Sequence, residues 1–251
     1  TRDRTTTATT TVMGDGTTAA GRARSRWRRA ALPLGVLGIL LVVALVTVVV
    51  RPSVSQVPLA PDNPQAGGAR AAAEILRRQG VDVRYVRSTA DAVAAAQAGT
   101  TLLITSTFLL MPEQLEQLQD VEADVVLLEP EWMALTDLTD DALDTGWGEQ
   151  GGTGEIDPGC DELDVVAAGG IESTGYGFEG TGPDVTLCYL RGVAVSDSFV
   201  EAAYAVWHDG DRRVVAIDDD GLLSNARLAE GGNAALMLRT LGHHDTLVWY
   251  V

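Results

Sequence analysis

The chain is poor in the residues that usually assemble chemistry. Its 251 residues include two cysteines, three histidines and only 5% aromatics. Cys160 and Cys188 are too few for a cysteine-rich metal framework, and neither a C-x-x-C nor an H-x-x-x-H spacing occurs. His243 and His244 are adjacent rather than one helical turn apart, and His208 stands alone, so no metal is expected. Asp218-Asp219-Asp220-Gly221 opens like a calcium loop but lacks the later ligands and the closing glutamate; solvated acidic turns account for it. Gly67-Gly68-Ala69 is neither a phosphate-loop nor a dinucleotide fingerprint, and no cofactor is expected. A serine nucleophile at Ser106 would need a nearby base, and the three histidines map to a hairpin turn and to the approach to the last strand. Covalent catalysis is therefore not expected.

Charge and hydropathy are informative where side-chain chemistry is not. Residues 32–50, LPLGVLGILLVVALVTVVV, form an uncharged run of nineteen, about 28 Å long as a helix and close to the thickness of a bilayer's hydrocarbon core. Seven arginines against two aspartates precede it, and the 200 residues beyond Arg51 carry a net charge of −23. The positive-inside rule then places residues 1–31 in the cytoplasm as a disordered basic tail, with the domain 54–251 outside. A cleaved signal peptide is the competing reading, but VVVRPSVSQ offers no small-x-small cleavage site. Arg28-Arg29 lacks the context of a twin-arginine signal. The chain begins at Thr1 rather than Met, as a piece of a longer product would.

The exterior domain is long enough for one sizeable core. Its acidity argues against nucleic acid or anionic lipid as a partner, and solubility explains it adequately. All eighteen basic residues are arginine. The even cysteine pair, on the side assigned to an oxidising compartment, predicts a disulfide closing a loop of about 29 residues, with two independent buried thiols as the alternative.

The periodicities predict helices over 67–79, from Ser88 to Gly99, over 112–119 and after Asn225, which is read as a cap. Strands are predicted at 81–86, 101–105, 124–128, 185–190, 192–195, 202–207, 213–217 and 246–251. A short segment, 131–138, follows the third strand. Residues 101–105 and 124–128 are continuous apolar runs, as in strands buried on both faces. Strands alternating with helices indicate a doubly wound, mainly parallel α/β sheet. Residues 139–184 break the pattern. They are acidic, hold twelve glycines between Gly146 and Gly182, and are expected to form an irregular excursion or flap.

Ligands of a doubly wound sheet bind beyond the carboxyl ends of its strands. The candidate binding residues there are Asp62, Asn63, Gly67, Gly68, Ser106, Thr107, Glu129 and Asp218. Asp62-Asn63-Pro64 precedes Gly67-Gly68 and a helix start, where free N–H groups favour an anion. Turns and caps are the competing explanation for every one of these residues.

Four segments carry a resemblance: PLAPDNPQAGGARAAAEILRRQG at 58–80, TLLITSTFLLMPEQLEQL at 101–118, DVVLLEP at 124–130 and GLLSNARLAEGGNAALMLRTLGHHDTLVWYV at 221–251. Together they resemble the actinobacterial membrane proteins built around the domain of unknown function DUF4350. The resemblance implies a flavodoxin-like core related to class I glutamine amidotransferases, and a second transmembrane helix beyond the last strand, whereas this chain stops at Val251. It also implies partnership with a MoxR-type AAA ATPase and a von Willebrand factor-like membrane protein, and it brings no enzymatic activity. No cysteine nucleophile stands on a strand-to-helix turn. The expectation is a membrane-anchored, non-catalytic binding or accessory domain of an envelope complex. A degenerate amidotransferase- or hydrolase-like enzyme using the sheet-end pocket is the alternative, and a purely structural tether is the third reading.

Overall fold

The structure is a computed structural model and describes residues 33, 35–43, 55–146, 154–191 and 201–251. The chain divides into two units, Thr1–Ser53 and Val54–Val251. In the first, residues 35–43 are helical. Among the described residues no helix is long and apolar enough to cross a membrane. The remainder of the apolar run, the basic tail and the strand expected at 192–195 lie outside the described residues.

The second unit is built on nine strands: β1 (Asp82–Val86), β2 (Thr101–Ile104), β3 (Asp124–Leu128), β4 (Leu143–Thr145), β5 (Phe178–Gly180), β6 (Val185–Arg191), β7 (Glu201–Asp209), β8 (Arg212–Ile217) and β9 (Thr246–Tyr250). Among the described residues six α-helices accompany them: α1 (Arg70–Arg78), α2 (Thr89–Ala95), α3 (Pro112–Gln119), α4 (Trp132–Leu138), α5 (Leu163–Ala168) and α6 (Asn233–Leu241). Local signals set several boundaries. The Ser88 side chain accepts from the Asp91 N–H at 3.2 Å and caps α2. Pro112 opens α3, where its missing N–H costs nothing.

The strands lie in the order β1-β9-β2-β3-β8-β7-β5-β4, with β6 also on β7. The five strands β1, β9, β2, β3 and β8 are mutually parallel. Read in chain order this departs from the expected flavodoxin-like arrangement, because the last strand, not the first, sits between β1 and β2. Counted from β9, the five follow the order 2-1-3-4-5. The reason is physical: β9 reads TLVWY, a run apolar enough to be buried on both faces, and it takes a central position that the half-exposed β1 does not.

The alternation of side chains sends each strand's apolar residues to two separate cores. Leu103, Val126, Ile217, Leu247 and Trp249 meet α1 through Ala72, Ala73 and Leu76, and α6 through Leu236, Met237 and Leu241. Ile104, Val125, Leu127, Val214 and Val248 meet α2, α3 and α4 through Ala92, Leu115, Leu118, Ala134, Leu135 and Leu138. Truncating one such leucine to alanine typically costs about 2–5 kcal/mol.

Beyond β8 the sheet turns antiparallel. β7 and β8 form a hairpin closed by Gly210-Asp211, β6 runs along β7 with Cys188 opposite Tyr204, and β5 joins β7 at Phe178 opposite Ala202. The segment expected to be irregular therefore carries β4, α5 and β5 in its described part, together with a bridge between Ile156 and Ile171. Its apolar residues are spaced too sparsely among glycines to show a period, yet Leu143, Val165, Ile171 and Phe178 are all buried. Cys160 and Cys188 are disulfide-bonded, Cα–Cα 5.2 Å, which ties this segment to β6.

Asn225 does not cap the helix that follows it; α6 begins only at Asn233. Its Oδ1 accepts the Ala71 N–H at 2.8 Å in the first turn of α1, and its Nδ2 donates to the Asn63 and Gln65 carbonyls at 2.9 and 2.6 Å. The cap is supplied across 154 residues.

Candidate functional site

Pairing of β3 with β8 sets Leu128 opposite Ile217, so the residues following both strands emerge side by side at the carboxyl end of the sheet. They are Glu129 and Asp218. The Glu129 N–H donates to the Ile217 carbonyl at 2.7 Å. Glu129 itself adopts φ +43°, a strained conformation for a residue with a Cβ, and strain of this kind gathers at functional sites. Around this pair opens a cavity of about 320 Å³, lined chiefly by Glu129, Glu131, Trp132, Tyr176, Phe178 and Asp218. That volume suits a small ligand or a few side chains.

A second depression of about 220 Å³ adjoins it and shares Glu131 and Trp132. Phe108 and Met133 form part of its wall. Trp132 is 53% exposed, Phe108 74% and Leu109 81%, and Met111 and Met133 are more than half exposed. Large side chains grouped this way on the surface mark an interaction site more often than scattered ones do. Trp132 stands at the first position of α4, held outward because Ala134, Leu135 and Leu138 take the buried face.

The floor of the cavity is electrostatically organised. Asp218 is 3% exposed. It accepts from Ser173 Oγ at 2.6 Å and is ion-paired with Arg191 at 2.6 Å. Burial pushes its carboxyl up to about 6, against the opposing pull of Arg191 and Ser173. Gly175 belongs to this packing: a Cβ there would collide with the Asp218 carbonyl oxygen. Burial would also raise Asp219, but hydrogen bonds from Arg227 and Thr174 outweigh it and hold the carboxyl below its ordinary value. Its oxygens accept from Arg227 Nη1 at 2.8 and 3.0 Å and from the Thr174 N–H at 2.8 Å. The expectation of solvated acidic turns is thus corrected at Asp218 and Asp219, which are buried and neutralised by arginines. Glu129 and Asp220 are both raised, first by partial burial and then by neighbouring carboxylates.

Of the eight candidate binding residues, Glu129 and Asp218 line the cavity. Thr107 lines the adjoining depression, where its Oγ1 accepts the Glu131 N–H at 2.8 Å and joins the loops after β2 and β3. Ser106, one residue earlier, is exposed. Asp62, Asn63, Gly67 and Gly68 line neither space. Asn63 is buried and spends its side chain on local turns, donating to the Val57 carbonyl at 2.9 Å and accepting the Gln65 N–H at 3.0 Å. A Cβ on Gly68 would collide with the Asn63 carbonyl oxygen, so close packing requires this glycine. Gly67 is exposed, with open space around it. The helix start that follows them already has its acceptor in Asn225, which leaves less for an anion to find there.

Sequence reasoning missed Trp132, Tyr176, Ser173 and Arg191. The first has a signal in the apolar pair Trp132-Met133 directly after Glu-Pro-Glu; the others come from the excursion and from β6, whose position against β7 is a tertiary fact. It also set the histidines aside. His208 is in register with Arg213 at the start of β8, and His243 and His244 precede β9, so all three lie at the amino end of the parallel strands. Asp124, the first residue of β3, meets them there: Oδ2 is 3.0 Å from His244 Nε2 and 3.8 Å from His243 Nε2. Burial and then the Arg213 charge lower His243, against Asp124.

The site is an acidic and aromatic cleft at the carboxyl end of a mixed α/β sheet. The chain belongs to the family described as Domain of unknown function (DUF4350), whose profile matches residues 61–241. It is 26% identical over 233 residues to a Mycobacterium tuberculosis protein named uncharacterized membrane protein Rv3691, covering 91% of this chain and 56% of that protein. The chain thus spans little more than half of that relative's length. Among solved structures it is similar to one described as the mmIFT52 N-terminal domain, with a TM-score of 0.43, 10% identity and coverage of 61% of this chain and 78% of that one. A likeness this loose carries no functional argument.

Proposed function

We propose that this protein is a membrane-anchored, extracytoplasmic binding domain that docks a protein partner, as an accessory subunit of an envelope complex. The observation that carries the reading is the pair of adjoining depressions that share Glu131 and Trp132, walled by exposed Phe108 and Met133, with Leu109 and Met111 exposed in the same loop as Phe108. Carboxylates beside exposed aromatics select a segment presenting basic and apolar side chains together: the acids attract the cation, and Trp132 and Tyr176 offer faces for it to stack on. The apolar run 32–50 behind its arginine cluster supports an anchor with the domain outside, and the mycobacterial relative is named as a membrane protein. The MoxR-type ATPase and von Willebrand-like protein are the partners we would test first.

The enzymatic alternative is disfavoured by distance. A degenerate amidotransferase or hydrolase would need a base near Ser106 at the carboxyl end. All three histidines sit at the amino end, roughly 13 Å away across strands of four or five residues. The chain has no lysine to replace them.

The test is site-specific photo-crosslinking of the full-length protein in native membranes, with the probe at Trp132 and, as a control, at His208. A discrete protein adduct at Trp132, absent at His208 and lost on the charge reversals Glu129→Arg and Glu131→Arg, is expected. Crosslinks that ignore the charge reversals, or arise equally at His208, would overturn the docking surface. Loss of function in Ser106→Ala with partner capture intact would turn the reading toward an enzyme.

A further inference from the structure

The amino end of the sheet holds a donor cluster that plays no part in the cleft. Asp124, His243 and His244 each offer one ligand atom, and the three atoms lie within 4.8 Å of one another. We propose that these three side chains form a binding site for a divalent transition cation of the zinc type. The inference is independent of the docking surface, which lies at the opposite end of the strands.

Two imidazoles and a carboxylate are the donor set that Zn²⁺ and its neighbours prefer. Two ligands of a tetrahedral ion with bonds of about 2.0–2.1 Å stand roughly 3.3 Å apart. The contacts from Asp124 Oδ2 to His244 Nε2, 3.0 Å, and to His243 Nε2, 3.8 Å, bracket that value, and the two imidazoles, whose ligand atoms lie within 4.8 Å of one another, would draw together to close the set. The two rings meet edge to face with centroids 5.0 Å apart, because the turn between Gly242 and β9 brings adjacent side chains to one side. Adjacent residues of a strand would point apart.

The carboxylate is also oriented from behind. Asp124 Oδ1 accepts the Arg213 N–H at 2.9 Å, which turns Oδ2 toward the imidazoles, as an outer-shell contact does in metal sites. Asp124 is buried, His244 half-buried and His243 exposed, so the cluster has a closed base and an open side for water or a further ligand. On that side His243 borders an open depression of about 700 Å³, with Asp164 and Asp245. Competing cations are present and partly engaged by other carboxylates, with Arg212 also near enough to feel the Asp124 charge. Arg213 Nη1 is 3.2 Å from Asp164 and 3.4 Å from Glu162; Arg239 is 3.3 Å from Asp164 and Arg212 is 3.9 Å from Asp209. The plain alternative is that His244 and Asp124 form only a hydrogen bond latching the α6–β9 turn to β3.

The experiment is titration of the full-length protein, purified in detergent without a histidine tag and stripped with chelator, using Zn²⁺ by calorimetry and Co²⁺ by its visible absorption. One equivalent should bind, with a Co²⁺ spectrum of four- or five-coordination and a rise in melting temperature. His243→Gln and Asp124→Asn should each weaken binding by at least about tenfold, and His208→Gln should leave it unchanged. His243 is exposed, so its variant tests the site without threatening the fold; circular dichroism checks Asp124→Asn. Wild-type binding no tighter than that of His243→Gln, or a Co²⁺ spectrum of the hexaaquo type, would overturn the site and leave the latch.

Discussion

Replacing Asn225 by alanine should destabilise the domain by about 2–3 kcal/mol, although the residue belongs to no helix or strand. Its Oδ1 caps α1 at the Ala71 N–H, and its Nδ2 holds two carbonyls of the 63–65 turn. A cap is worth about 1 kcal/mol, and each partly exposed hydrogen bond to a carbonyl adds roughly 0.5–1. For a domain of this length the sum corresponds to a fall in melting temperature of roughly 5–10 °C. Two readouts separate the parts. Hydrogen exchange at the Ala71 amide reports the cap, and urea unfolding reports the whole. Asn225→Asp keeps the acceptor and even favours the helix N-terminus, but turns an anion toward two carbonyl oxygens; it should lose about half as much stability as alanine while the Ala71 amide stays protected. A loss below about 0.5 kcal/mol for Asn225→Ala, or an unchanged Ala71 exchange rate, would refute the clamp. The turn and α1 would then be held by their apolar contacts alone.

Removing the Cys160–Cys188 bond by paired Cys→Ser and Cys→Ala changes should cost about 3.5 kcal/mol from loop closure over its 28-residue separation, read by urea unfolding with and without reductant; equal midpoints would refute it. Because the folded pKa of Asp218 is raised to about 6, its contribution is fully present below about pH 4 and lost as pH rises through 6. Stability should therefore fall by up to about 3 kcal/mol across that window, and Asp218→Asn should flatten this limb of the pH–stability curve. Asp219, whose pKa is depressed, works in the opposite sense, and its contribution is lost as pH falls through its folded pKa. Glu129→Gly should relieve the φ +43° conformation and raise stability by up to about 1 kcal/mol while weakening partner capture; a clear loss of stability would show the glutamate to be structural.

The sequence by itself determined most of the local structure. Residues 101–105 and 124–128 read as buried strands, since continuous apolar runs have no face for water, and Pro112 and Ser88 mark the starts of α3 and α2. The even pair of cysteines sufficed to predict the disulfide. Glu129 and Asp218 were legible as neighbours because adjacent parallel strands end side by side. What tertiary structure alone decided was every pairing across long separations. β9 lies between β1 and β2, α1 takes its cap from Asn225, and Asp218 meets Arg191. Asp124 meets two histidines that stand 119 and 120 residues further on. Local propensity is written in neighbouring residues and can be read there. The partner of a buried charge or an unfilled N–H is chosen by where the packed sheet brings distant chain segments, and nothing in the flanking sequence encodes it.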